Sequence, residues 1–310
     1  MEGEPSSFEE NAKKIISNFT KAEKHNKEND PKFKHWVKTL CDPNTKLIQN
    51  LLNYFLDDLT DQKARENILK IFRKLYVLEE EIVAPQILMN QDFPKAIVKY
   101  ITSAKTENIS DNSFYILTKF FNEKNFKSLI NEQFIIAMYN GLSIVHEEDI
   151  LNSIVEVLIE INSQYKNIEE NIFLKIHKTN NNSRVLDEIL LRVLNNAYDK
   201  EKEMKILNCI NNLMDAENCC IFYESDLEIF IDIIIPKLQI TTNEQNKICL
   251  LNSIDRATRF DEYYKKLYKV EEITELMEDY ESRDEQTEEV RKISKKIVTN
   301  ITDHQNKNKK

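Results

Sequence analysis

Apolar residues recur at steps of three and four along almost the whole chain. After Pro43, the residues Leu47, Ile48, Leu51, Leu52, Phe55, Leu56 and Leu59 mark one face of an amphipathic helix of about four turns. Asp61 restarts the pattern, and Ala64, Ile68, Leu69, Ile71, Phe72, Leu75, Tyr76 and Leu78 form the next stripe. A link this short makes the two helices antiparallel neighbours. Ahead of them stand shorter clusters, Ile15-Ile16 with Phe19, then Phe33, Trp36, Val37 and Leu40, which predict an N-terminal helical cap over residues 1–43. Downstream, stripes alternate with breaks rich in Asp, Asn, Ser or Pro: Pro85 with Pro94, Asn108–Asn112, Asn122–Asn125, His146–Asp149, Gln164–Asn167, Thr179–Ser183, Tyr198–Lys200, Ala216–Ser225 and Gln239–Asn243.

Two helices in roughly forty residues is the cadence of armadillo and HEAT-like repeats. A compact helical bundle is the alternative, and the width of the apolar face separates the two. Val185, Leu186, Ile189, Leu190, Leu191, Val193, Leu194 and Ala197 cover more than half of their helix, leaving Arg184, Asp187, Glu188, Arg192, Asn195 and Asn196 outside. Helices sandwiched between stacked repeats have such wide faces. The expected fold is therefore all-α, an armadillo/HEAT-like right-handed α-solenoid of about a dozen helices. Residues 44–302 are expected to form a single armadillo-like domain, and 303–310 a flexible basic tail with no apolar anchor.

Composition narrows the function. The chain has two glycines, Gly3 and Gly141, so neither a phosphate-binding glycine loop nor a dinucleotide fingerprint can be built. A formal charge of −10 argues against a nucleic-acid partner. The five cysteines, Cys41, Cys209, Cys219, Cys220 and Cys249, show no Cys-x-x-Cys spacing, which predicts neither a disulfide framework nor a zinc module. No leader, lipid-anchor motif or long apolar run is present, so a soluble cytoplasmic protein without membrane insertion is expected. His25, His35, His146, His177 and His304 fit no metal or nucleophile template. Adjacent Cys219 and Cys220 are expected as core filler. No catalysis and no cofactor are expected. Between Glu271 and Glu289 lie ten acids against the single base Arg283, an acidic face that is either plain solvated surface or a docking patch.

Polar ridges suggest where a partner would sit. Lys178, Arg184 and Arg192, then Lys205, Asn208 and Asn212, fall on the polar sides of successive helices. Guanidinium and amide groups at such positions can grip a peptide or helix. With their neighbours they give the candidate partner-binding set Arg184, Glu188, Arg192, Asn196, Lys205, Asn208, Asn212 and Lys237.

From Ile221 to Leu238 the chain reads Phe222-Tyr223, two spacers, Asp226-Leu227, and a β-branched run Ile231-Asp232-Ile233-Ile234-Ile235. An aromatic pair, Asp-Leu and a β-branched run around an internal Asp resemble the most recognisable stretch of the WISH/DIP leucine-rich family. Physically, Ser225 or Asp226 can cap the helix, Phe222 can staple back onto it, and Asp232 needs a donor. The resemblance covers roughly residues 180–300. Pro236 departs from the basic residue expected there and should kink the helix. Animal members carry an SH3 domain, and this chain is similar to the shorter fungal-type members. The resemblance implies an armadillo-like activator of the actin-related protein 2/3 complex that starts linear filaments without a preformed mother filament. It also implies that the partner's contact is a long helix of a scaffold subunit in the concave groove, with the actin-related subunits and, indirectly, actin as further partners. The expected place is the cytoplasmic actin cytoskeleton at the cell cortex. The competing expectation is a generic armadillo/HEAT adaptor scaffolding a trafficking or ciliary complex.

Overall fold

The computed structural model describes residues 7–24, 30–103, 111–121, 126–180, 183–197, 199–217 and 221–307. His25, the break at Asn122–Asn125, Tyr198, the Cys219-Cys220 pair and residues 308–310 lie outside them, as does most of the break at Asn108–Asn112. Sixteen α-helices are found among the described residues, more than the dozen expected. They are α1 (Ser7–Lys24), α2 (Pro31–Cys41), α3 (Leu47–Leu56), α4 (Gln62–Leu88), α5 (Phe93–Ser103), α6 (Asp111–Thr118), α7 (Glu132–Ile144) and α8 (Glu148–Ser163). Then follow α9 (Ile172–Thr179), α10 (Ser183–Asn195), α11 (Lys200–Glu217), α12 (Glu224–Ile240), α13 (Glu244–Ala257), α14 (Asp261–Tyr264), α15 (Val270–Ser282) and α16 (Glu288–Lys307). No strand occurs among the described residues, in agreement with the all-α expectation.

Local chemistry sets several of the helix starts. The Asp61 carboxylate accepts from the Ala64 amide at 2.7 Å and opens α4. Asn171 and Asn243 do the same for α9 and α13, accepting from Phe173 and Asn246. The break expected at Pro85 with Pro94 lies between the two prolines, where α4 ends at Leu88 and α5 begins at Phe93. Helix α4 runs through Pro85, and its interruption is at Glu79, which has φ −145° and ψ 48°. Pro85 is exposed, so the carbonyl it leaves without an amide partner can be hydrated. Pro94 sits in the first turn of α5, where an amide would have had no helical partner anyway.

Packing divides the chain into two compact units, residues 1–137 with 144–157, and residues 138–143 with 158–310. These units cut the chain differently from the cap and the single 44–302 domain expected from sequence. In the first unit, α1 and α2 both pack on α3 and α4, and the rings of Phe19, Phe33 and Trp36 cluster at 5.7 to 6.4 Å. Its core is a chain of edge-on rings: Phe93 meets Phe55 at 5.0 Å, Phe72 at 5.4 Å and Phe120 at 6.1 Å.

The second unit has two layers. Helices α9, α11, α13 and α16 pack side by side in one, and α10, α12 and α14 follow one another in the other. The pairs α10 with α11 and α12 with α13 join the layers, and α15 lies against α16. This stacking is that of an α-solenoid. Two corrections concern its C-terminal part. The helix expected from Tyr263 to Leu267 ends at Tyr264. The tail expected to begin at Asp303 is helical through Lys307: Ile297 and Ile301 are buried, and His304 stacks on the Tyr264 ring at 3.6 Å.

Candidate functional site

The start of α12 carries the recognisable segment, and its geometry follows from one buried aromatic. Phe222 is buried and meets Phe230, two turns on, with ring centroids 5.1 Å apart, the staple expected from sequence. The capping expectation needs correction. Tyr223 is the N-cap, with no side-chain capping bond, and its carbonyl accepts from the Leu227 amide at 2.9 Å. Ser225 and Asp226 therefore sit inside the first turn. Leu227, Ile231 and Ile234 are buried, and the helix continues through exposed Pro236 to Ile240.

Arg184 meets this segment from α10. Its Nη1 donates to the Ile221 carbonyl at 2.8 Å, and its guanidinium lies 5.3 Å from the centroid of the exposed Tyr223 ring. Together they border a surface cavity of about 520 Å³ whose far rim is Glu262, Lys265 and Lys266.

Sequence reasoning missed the acid ladder beside this cavity. Glu224, Glu228 and Asp232 stand four residues apart on α12 and pair with Lys265 at 3.1 Å, Lys266 at 2.9 Å and Lys269 at 2.9 Å. Tyr268 also donates to both Asp232 oxygens, at 2.9 and 3.0 Å. The Lys269 hydrogen bond, followed by that of Tyr268, holds the Asp232 carboxyl below its ordinary range. Asp232 has the donors it was expected to need, but on the surface rather than in the core. The segment that supplies them bends through Leu267 and Lys269, both at positive φ, 52° and 51°. Neither is a glycine, and a leucine there is uncommon. The four-residue acid spacing was visible in the sequence; the backbone that brings the lysines to it was not.

The candidate partner-binding residues fall in both layers. Arg184, Glu188, Arg192 and Asn196 recur every fourth residue and form one exposed ridge along α10 and its C-terminal end. Lys205, Asn208 and Asn212 lie on α11, in the other layer, and are tied into a polar ladder. Lys205 pairs with Glu160 at 2.8 Å and Glu201 at 3.4 Å. Asn212 donates to Asn162 at 3.2 Å, and Asn162 also accepts from Asn171 at 2.9 Å. Asn208 accepts from the Cys249 thiol at 3.4 Å. Lys237 on α12 pairs with Glu203 on α11 at 2.8 Å. The candidate residues thus lie on helices of two different layers.

The ladder continues to α16. Arg256 reaches Asp215 at 2.6 Å, and buried Asp255 accepts from Lys296 at 2.9 Å, Asn300 at 3.2 Å and Arg259. An Asp255→Ala substitution is expected to cost about 1–3 kcal/mol in chemical denaturation, because charge-assisted hydrogen bonds are lost while Lys296 and Arg259 rehydrate.

One residue expected on the surface is buried. Asp187 turns inward, and its Oδ1 lies 3.6 Å from Nε2 of His177, which is itself buried. The Tyr139 hydroxyl is 2.8 Å from Nδ1 of His177. Burial, with the positive charge of Arg184, pushes His177 down to about 4. Burial also raises the thiols of Cys41 and Cys249 to about 11, so both are protonated at neutral pH. No group of side chains suited to a metal ion occurs among the described residues, and no helix there is long and apolar enough to cross a membrane.

The stacked helical layers of the second unit define a helical-repeat protein. Within that class, the model of the SPIN90/Ldb17 leucine-rich domain matches residues 118–273, and the chain belongs to that family. The match begins well before the expected 180 and ends short of 300, so it takes in helices that from sequence agreed only in helical character. Among solved structures, an engineered protein is similar at 12% identity and a TM-score of 0.40, covering 83% of this chain and 96% of that one. A designed armadillo repeat protein is similar at 14% identity and a TM-score of 0.39, covering 82% and 99%. No curated protein matches the chain.

Proposed function

We propose that this protein activates the actin-related protein 2/3 complex and starts linear actin filaments without a preformed mother filament. The observation that carries the reading is the leucine-rich domain match over residues 118–273, which contains the Phe222–Ile235 segment and the α10 ridge. Activation needs no bond chemistry from this chain. A surface that binds the filament-like arrangement of the two actin-related subunits more tightly than the splayed one shifts the population toward it. Nucleotide then belongs to the partner complex. Cytoplasm at the cell cortex is the corresponding place of action.

On this reading the α10 ridge holds a long helix of a scaffold subunit. Arg184 is preorganised for the task by the Ile221 carbonyl and the Tyr223 ring, and Glu188, Arg192 and Asn196 continue the row. The test is a pyrene-actin assembly assay with purified complex and no seed filaments, with the products imaged. A shortened lag and linear filaments are expected. An unchanged lag at saturating protein would remove the activator reading and leave an adaptor whose partner is another assembly. An Arg184→Glu, Arg192→Glu double variant should bind the complex at least about tenfold more weakly, a change of about 1.4 kcal/mol, while keeping its helical circular-dichroism spectrum, with a stability loss of about 1 kcal/mol from the Ile221 hydrogen bond. Normal affinity would move the contact off α10.

A further inference from the structure

The first unit presents apolar side chains to solvent along α4. Val77 is 66% exposed and Leu78 47%, just before the interruption at Glu79; beyond it Ile82 is 44% exposed and Met89 82%. Ile82, exposed Pro85 and Met89 are spaced three and four apart, so they share one helix face. From Ile82 to Met89 the row runs for about two turns, with Val77 and Leu78 on the other side of the interruption. Single exposed apolar residues are ordinary, whereas a row of them marks an interaction surface.

Charge on the same stretch is one-sided. Residues 75–94 carry Glu79, Glu80, Glu81 and Asp92 and neither lysine nor arginine. Glu80 reaches Lys119 at 3.2 Å. Exposed Glu81 and half-exposed Glu79 flank the apolar row, and neither has an ion-pair partner among the described residues. We infer that this face of α4 docks a basic amphipathic helix of a partner protein, whose apolar side covers Leu78, Ile82 and Met89 and whose lysines or arginines meet Glu79 and Glu81. A second copy of the chain would bring acid against acid with no cation on the stretch to relieve it. An anionic lipid surface is repelled for the same reason. The face lies before residue 118, outside the family match, so the inference stands apart from the actin reading.

Two labelled synthetic helices of about five turns test it on the full chain, one with a leucine face flanked by lysines and one with the same face flanked by glutamates. By fluorescence anisotropy the lysine peptide should bind at least about tenfold tighter, and amide exchange should slow within 77–89. An Ile82→Asp substitution should weaken binding by a similar factor. A Glu79→Lys, Glu81→Lys double variant should reverse the preference while leaving the chain net negative, so that overall charge cannot account for the reversal. Equal binding of the two peptides, protection elsewhere, or a preference that survives the charge swap would overturn the inference. Concentration-dependent self-association that Ile82→Asp abolishes would assign the face to a second copy and would equally overturn it.

Discussion

A Phe230→Ala variant is expected to lose about 3–5 kcal/mol of folding stability, the usual cost of emptying a buried phenylalanine site. Phe230 has no exposed surface, and its ring is in contact range of Phe222, which ties the residue before the N-cap to the body of α12. Helix α12 in turn packs against α10, α13 and α14, so a cavity there loosens both layers of the second unit. Truncation leaves Phe222 without its partner, and neither neighbour can refill the space without leaving its rotamer. Tyr223→Ala is the control. That ring is 57% exposed and makes no capping bond, so its removal should fall within about 1 kcal/mol of wild type. Urea denaturation followed by far-UV circular dichroism separates the two, and a loss below about 1 kcal/mol for Phe230→Ala would mean that the segment is not the keystone of this layer.

What the sequence made legible follows the physics of the amphipathic helix. Apolar spacing located α3, α4 and α10 to α13, because burial of one face repeats every 3.6 residues whatever lies on the other side. Asp61 and the break ending at Asn243 were readable ahead of helix starts, since a carboxylate or amide before an apolar run has an orphan amide to bind, whereas the cap of α9 falls at Asn171, four residues past the break expected at Gln164–Asn167. The cap of α12 was misread for a related reason: two good capping residues, Ser225 and Asp226, stand two and three residues past the true cap. The Phe222–Phe230 contact sets the entry of the chain and makes Tyr223 the cap without help from its side chain.

The candidate site was legible as residues and not as a surface. Every ridge residue named from the sequence lies on or beside a helix, but periodicity does not say which layer a helix joins. Lys205 and Asn212 therefore looked like free ridge groups until Glu160 and Asn162 were found opposite them, about fifty residues away in sequence. Asp187 was placed outside because a charged residue on a helix is usually solvated. Once buried it faces His177, ten residues earlier on another helix. Such pairings are tertiary, and a single sequence carries no trace of them.

That buried histidine makes a measurable prediction about acid. The folded-state value for His177 is about 4 against an ordinary 6.5, because burial disfavours the imidazolium. Between those two values the unfolded chain binds a proton that the folded chain does not, so stability rises with pH across that window. The contribution is fully present above 6.5 and lost as pH falls toward 4, amounting to about 3 kcal/mol in all and about 2 kcal/mol between pH 7 and pH 5. Other groups titrate over the same range, so the quantity to measure is the difference between wild type and His177→Gln. The glutamine keeps an acceptor for the Tyr139 hydroxyl and cannot be protonated, and it should flatten the acid limb of the urea-midpoint profile by about that 2 kcal/mol. Asp187 supplies the opposing possibility. An ionised carboxylate 3.6 Å from the ring would favour the charged imidazole, and the sign of the difference would then reverse, with wild type gaining on the variant as pH falls. Parallel profiles would show that His177 keeps its ordinary titration in the folded state, and would overturn the burial-driven shift.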